Sequence, residues 1–146
     1  MNSVKQLQAI ELKKKLDNGE DIFLLDVREE WEFALASIDG SENFPMGEVI
    51  DRQQEFSFEE EIVVICHYGE RSQLAAQELI ECGRNVYNLI GGIDAWSQVV
   101  DPNVPRYSPN GESFTQNQFL TFYYKNRIKI KLYAATLALF LMPHEI

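Results

Sequence analysis

Two short runs constrain this chain more than anything else in it: "IFLLDV" at residues 22–27 and "EIVVIC" at residues 61–66. Neither alternates apolar with polar residues, as a strand wetted on one face does. The first is interrupted only by Asp26, and the second is apolar after its leading Glu61. Such runs belong to strands covered on both faces, which is the situation of parallel sheets with crossover helices. The intervening segments supply helices. "AIELKKKLDNGED" reads as a helix that stops near Asn18-Gly19, with a short strand before it. "REEWEFALASIDG" keeps helical spacing to Gly40, "ENFP" reads as a short strand, and a helix is expected around residues 47–54. "RSQLAAQELIECG" sets apolar residues 74, 75, 79 and 80 on one face. "NVYNL" gives a further strand, and "GGIDAWSQVV" a glycine turn into a last helix. The expected class is α/β, with a mostly parallel sheet and helices on both faces.

Composition narrows the function. The 146 residues suffice for one globular domain with a sizeable core. Thirteen basic against 23 acidic residues leave a formal charge of −10, which argues against nucleic acid as a partner, since phosphate binding needs a basic surface. Two cysteines make no disulfide framework. With no CxxC and histidines only at 67 and 144, no metal site is expected, and no cofactor. The polar start "MNSVKQLQAIELKKK" has no apolar signal segment, so a reducing cytoplasm is the default setting and Cys66 a free thiol.

Prolines 102, 105 and 109 mark a compositional boundary. Residues 1–107 are read as one domain and 108–146 as a C-terminal extension of unknown role. Its run "LYAATLALFLM" is 11 residues long, well short of the ~20 needed to cross a bilayer. The Lys/Arg cluster before it suits an interfacial helix on an anionic membrane. A helix packed on the domain or on a dimer partner, or a loose appendage, is the plainer expectation, and membrane contact is weighed below it.

The chemistry concentrates in "VVICHYGERSQLAAQEL", residues 63–79. In open parallel sheets ligands sit beyond the carboxyl ends of strands; Cys66 lies at one such end and Asp26 near another. A free thiol has a pKa of ~8.5, which falls to roughly 3.5–7.5 beside a cation or at a helix N-terminus. Main-chain N–H groups from His67 to Ser72 have no helical partners and can curl into an anion-binding nest. Gly69 tolerates positive φ there, and Arg71 can hold its guanidinium across the ring. Such a cradle favours a thiolate, a persulfide anion or a bound oxyanion. His67 is expected to lend its N–H to the nest and its ring to the entrance, with Tyr68 also at the entrance. Asp26 and Arg28 are expected to tie strand ends to the following loops. Trp31 and Trp96 read as core. Cys82 is no resolving thiol: about eleven helical residues, or ~16 Å, separate it from the loop, whereas a disulfide needs Cα atoms within ~7 Å.

Three stretches, "LLDVREEWEFALASIDGSENFPM", "IVVICHYGERSQLAAQEL" and "VYNLIGGIDAWSQVVDPNVPRY", resemble in order and spacing the rhodanese family of sulfurtransferases, over residues 4–107. The resemblance extends to small single-domain members and to the rhodanese domains attached to enzymes that activate ubiquitin-like sulfur carriers. It implies a rhodanese-like three-layer fold with a five-stranded, mostly parallel sheet. It also implies a ping-pong reaction. Cys66 would take sulfane sulfur from thiosulfate or a persulfide, hold it as a persulfide, and hand it to a thiophilic acceptor, a protein acceptor among the candidates. Arg71 would assist catalysis, His67, Tyr68, Gly69, Glu70 and Ser72 would bind the substrate, and Asp26 and Arg28 would support the site. Glu70 adds negative charge that should weaken attraction for free thiosulfate. Ser37 stands where family members often carry His. The C-x4-R spacing of Cys66 and Arg71 is one residue shorter than the C-x5-R ring of similarly folded cysteine phosphatases, which disfavours phosphoryl chemistry. The rival is a non-catalytic interaction module that keeps the fold.

Overall fold

The structure, a computed structural model, describes residues 3–56 and 60–108. In chain order the elements are β1 (Lys5–Leu7), α1 (Ala9–Asp17), β2 (Ile22–Asp26), α2 (Glu30–Leu35), β3 (Glu42–Asn43), β4 (Glu61–Ile65), α3 (Glu70–Glu81), β5 (Val86–Leu89) and α4 (Gly92–Val99). The strands form one sheet in the order β1-β5-β4-β2-β3, and every pairing is parallel. The expected class therefore holds.

The two continuous apolar runs explain the layering. Alternate residues of β2 and β4 point to opposite faces. On one face Phe23, Leu25, Ile62 and Val64 pack with Ala75, Ala76 and Leu79 of α3, and with Phe44 and Phe56. On the other, Leu24, Val63 and Ile65 pack with Leu12 of α1 and with Ile93 and Trp96 of α4. Val63, Val64 and Ile65 are all fully buried. Each such side chain contributes about 1.5–3 kcal/mol by leaving water. β4, in the middle of the sheet, is thus the most firmly held strand, and Cys66 follows it directly.

Two local expectations need correction. Helical spacing in "REEWEFALASIDG" suggested a helix to Gly40, but α2 stops at Leu35. Ala36 turns extended (φ −152°, ψ 133°), and Ala36 and Ile38 enter the core beside α4. The Ala36 carbonyl accepts a 2.6 Å hydrogen bond from the Arg28 guanidinium, a partner that a continuing helix would have competed for. Residues 47–54 form no α-helix either. Short 3-10 turns at Met46–Glu48 and Gln53–Glu55 flank an irregular stretch, in which Val49 and Phe56 are buried and Glu48, Asp51 and Glu55 are exposed. Met46, Val49 and Ile50 pack on the core, but no apolar residue follows until Phe56, so the apolar stripe is too short to hold a helix through this stretch.

Val104 and Tyr107 also join the core, so the proline-rich stretch packs on the domain as far as Tyr107. The expectations for the tail and for His144 lie outside the described residues. Among those residues, no helix is long and apolar enough to cross a membrane.

Candidate active site

β4 delivers Cys66 to the carboxyl edge of the sheet, and α3 begins at Glu70, so the chain must reverse within three residues. Gly69 makes that reversal at φ +100°, and its N–H lies 3.1 Å from Cys66 Sγ. The other side of the loop rests on α4. Ile93 N–H donates to the Cys66 carbonyl (2.9 Å), and Asp94 N–H donates to the His67 carbonyl (3.1 Å). In a trans peptide the C=O and the following N–H point in opposite directions. Holding those two carbonyls against α4 therefore turns the N–H groups of His67 and Tyr68 away from it. Only glycine fits at 92, where φ is +58° and a Cβ would sit 2.4 Å from the Cys66 oxygen and 2.5 Å from the His67 oxygen. Of the amides expected to turn inward, that of Gly69 faces the sulfur, and α4 fixes the carbonyls of the two residues that open the loop.

Ser72 Oγ lies 3.1 Å from Cys66 Sγ and also 2.5 Å from Asn88 Oδ1, to which it donates. A hydroxyl has one proton. While Ser72 serves Asn88, a Cys66 thiol can donate to Ser72; a Cys66 anion requires the hydroxyl proton to swing to sulfur. Asn88 is fixed independently, donating to Gln6 Oε1 (3.0 Å) and to the Gly69 carbonyl (3.2 Å).

Arg71 departs from expectation. Its guanidinium makes no hydrogen bond to the sulfur and instead forms a two-pronged pair with Glu32 of α2, at 2.7 and 2.9 Å. Glu32 also accepts from Tyr107 Oη (2.6 Å) and from the Glu29 N–H (3.2 Å). Burial opposes its ionisation, but the hydrogen bonds from Arg71 and Tyr107 outweigh burial and bring the carboxyl down to about 2. The same bond raises the Arg71 pKa.

Asp26 and Arg28 occupy the expected structural positions, both with no solvent exposure. Arg28 Nε and Nη2 donate to the Asp26 carboxylate (2.9 and 2.6 Å), and Nη1 donates to the Glu32 carbonyl (3.2 Å) and to Tyr107 Oη (2.8 Å). Asp26 is in register with Ile65, one residue before Cys66. The pair therefore braces the floor beneath the cysteine loop without touching its sulfur. Ser37 is buried nearby at 8% exposure.

His67 is a buried wall and no rim. It is 3% exposed, with its ring sandwiched between Tyr68 (3.9 Å between centroids) and Tyr107 (4.0 Å, nearly parallel). Burial lowers its pKa against the opposing pull of Glu32, so the imidazole is neutral near pH 7. Tyr68 is at the entrance as expected, 46% exposed. A cavity of about 280 Å³, lined by Glu32, Cys66, His67, Tyr68, Glu70 and Arg71, opens onto the thiol. Across the loop, Tyr68, Gly69 and Glu70 also line a second cavity of about 560 Å³. Cys82 is exposed, and both cysteines are free thiols. Among the described residues no group of three or more His, Cys, Asp or Glu side chains is arranged to hold a metal ion.

Sequence reasoning missed Glu32, Tyr107 and Asn88. Glu32 carried one usable signal: it follows β2, whose carboxyl end a parallel sheet sets beside that of β4. Tyr107 lay inside a recognised motif, but nothing local indicated that its hydroxyl would bridge Arg28 and Glu32.

Fold and site together define a class: an α/β domain with a cysteine loop at the carboxyl end of a central parallel strand. The chain belongs to the rhodanese-like domain family, whose model matches residues 8–99. It is 32% identical over 100 residues to a protein named thiosulfate sulfurtransferase GlpE from Pseudoalteromonas translucida, covering 68% of this chain and 91% of that one. It is 42% identical over 105 residues to a Zea mays protein named adenylyltransferase and sulfurtransferase MOCS3-2, covering 66% of this chain and 22% of that one. Against a Bacillus subtilis relative named "Putative sulfur carrier protein YrkF", 36% identical over 97 residues, the match covers 52% of the relative's length, so the chain spans about half of that protein and about a fifth of the Zea mays one. A rhodanese-like domain protein from Staphylococcus aureus superposes with a TM-score of 0.63 at 28% identity, over 72% of this chain and all of that one.

Proposed function

We propose that the chain is a sulfurtransferase that moves sulfane sulfur through a persulfide on Cys66. The observation that carries this reading is the environment of Cys66 Sγ: a main-chain N–H at 3.1 Å, a hydroxyl at 3.1 Å, and a cavity opening onto it. The Gly69 N–H can donate to anionic sulfur as it forms during transfer, and the Ser72 hydroxyl can join it by turning its proton from Asn88 to the sulfur. In the first half-reaction the Cys66 thiolate attacks the outer sulfur of a donor. The new Sγ–S bond forms as the donor's S–S bond breaks, and the leaving group departs with the electron pair. In the second, a nucleophilic acceptor attacks the outer sulfur and Cys66 leaves as thiolate. Sulfur moves at constant total oxidation state, and each step passes anionic sulfur through the same amide.

Within this reading, thiosulfate and persulfides are candidate donors and a thiophilic nucleophile, such as a protein thiol, a candidate acceptor. Asp26 and Arg28 support the loop, and a reducing compartment such as the cytoplasm keeps Cys66 free. Transfer from thiosulfate or cysteine persulfide to a thiol acceptor should be lost in Cys66→Ser and retained in Cys82→Ser. Equal rates for Cys66→Ser and the unsubstituted chain would reject the assignment.

A further inference from the structure

Every guanidinium around the cysteine loop already faces a carboxylate. Arg28 is paired with Asp26 at 2.6 Å, Arg71 with Glu32 at 2.7 Å, and Arg106 with Asp94 at 2.9 Å. Glu70 lines the same cavity as Cys66 and makes no ion pair among the described residues. The imidazole of His67 adds no charge near neutral pH. The cavity mouth therefore carries one surplus negative charge before Cys66 ionises, and the cation that the loop spacing promised for an anionic donor is spent on Glu32. The side chain of Glu32 is only 4% exposed, whereas that of Arg71 is 38% exposed. The carboxylate is thus the fixed partner, and the guanidinium the one drawn toward it.

We infer that Glu32 is a specificity-determining residue: by neutralising Arg71, with Glu70 adding repulsion, it directs the site toward sulfur donors of low charge and against the thiosulfate dianion. This rests on the sulfurtransferase reading and names its donor class. With an organic persulfide R–S–SH, Cys66–S⁻ attacks the outer sulfur, R–S⁻ leaves, and the product is Cys66–S–SH, with one negative charge on each side. With thiosulfate, the same attack brings a thiolate onto a dianion and releases sulfite, leaving Cys66–S–S⁻. Only the second route assembles three negative charges within one small cavity, and like charges at such distances repel strongly where water is sparse.

The test is the rate at which Cys66 gains one sulfur, followed by intact mass, with thiosulfate and with cysteine persulfide as the two donors. In Glu32→Gln the ratio of thiosulfate rate to persulfide rate should rise about tenfold, and in Glu70→Gln by a smaller factor in the same direction. The thiosulfate rate of the unsubstituted chain should increase with ionic strength while the persulfide rate changes little. A merely structural role for Glu32 would slow both donors in proportion and leave the ratio fixed. Glu70 is exposed, so its substitution decides the matter if Glu32→Gln fails to fold. An unchanged ratio in the folded variants overturns this inference alone. Loading of Cys66 by neither donor overturns the sulfurtransferase reading, and this inference with it.

Discussion

Replacing Gly92 by alanine should damage the cysteine loop from behind, and Gly40 provides the control that isolates the cause. Both glycines sit at positive φ, +58° and +86°. Alanine at either position meets the left-handed penalty, roughly 1–2 kcal/mol. A Cβ at 40 would meet nothing within 4 Å, so Gly40→Ala should cost only that penalty. A Cβ at 92 would lie 2.4, 2.5 and 2.6 Å from the Cys66 oxygen, the His67 oxygen and the His67 carbonyl carbon, all below the 3.0 Å that real contacts respect. Those atoms are backbone and have no side-chain torsion with which to escape. The loop must move, which loosens the bonds from Ile93 and Asp94 that hold its carbonyls, at about 1 kcal/mol each. The expected loss is therefore about 3–4 kcal/mol for Gly92→Ala against about 1–2 kcal/mol for Gly40→Ala. At about 4 °C per kcal/mol for a domain near this size, that is a drop in Tm of roughly 12–16 °C against roughly 4–8 °C. Well below the melting range, Gly92→Ala should also change the rate of Cys66 alkylation, because the displaced carbonyls belong to the cysteine loop. Equal stability losses and unchanged alkylation in the two variants would refute the claim that α4 sets the loop's conformation.

Arg28→Lys should destabilise by about 3–5 kcal/mol, because an ammonium cannot replace the planar fork that reaches Asp26, Tyr107 and two main-chain carbonyls, and a buried carboxylate is left poorly matched; a lower urea midpoint at unchanged slope would show it. Glu32 is held at about 2 against an ordinary 4.5. Its depressed value means that the unfolded chain binds the proton first, so its contribution, up to about 3 kcal/mol, is complete above about pH 4.5 and is lost as pH falls toward 2. Glu32→Gln should flatten the stability curve in that window, and an unaltered acid limb would contradict the pairing. His67 acts in a higher window. Its lowered pKa makes the unfolded state the better proton acceptor, so stability should fall as pH drops below about 6.5. His67→Gln should remove that slope.

The sheet was readable because β2 and β4 have no polar face to hide. An unbroken apolar run states its own environment, and Val63, Val64 and Ile65 lie where such a run must lie. Cys66 was readable for the same reason, being the residue at which the run ends. What failed were features that depend on distant partners. The spacing of 30–40 fits a helix, yet Ala36 leaves it, with its carbonyl engaged by Arg28 eight residues earlier. The spacing of Arg71 suits closing the ring, but Glu32, 39 residues before it, holds the guanidinium. No local pattern encodes that pair. A glutamate in the first turn of a short helix looks like capping, and Glu32 does cap, through the Glu29 N–H, while its other bonds go to Arg71 and Tyr107. The His67 ring, expected at the entrance, is buried against Tyr107, which arrives from the far end of the domain.

The most direct test of whether this cradle stores sulfur is to expose the intact chain to cysteine persulfide, map the modified peptide by mass, and then add a thiol acceptor. One extra sulfur on Cys66, none on Cys82, and loss of that sulfur when the acceptor is added are the expected results. Sulfur held mainly on exposed Cys82, or a Cys66 adduct that no acceptor can discharge, would contradict the account.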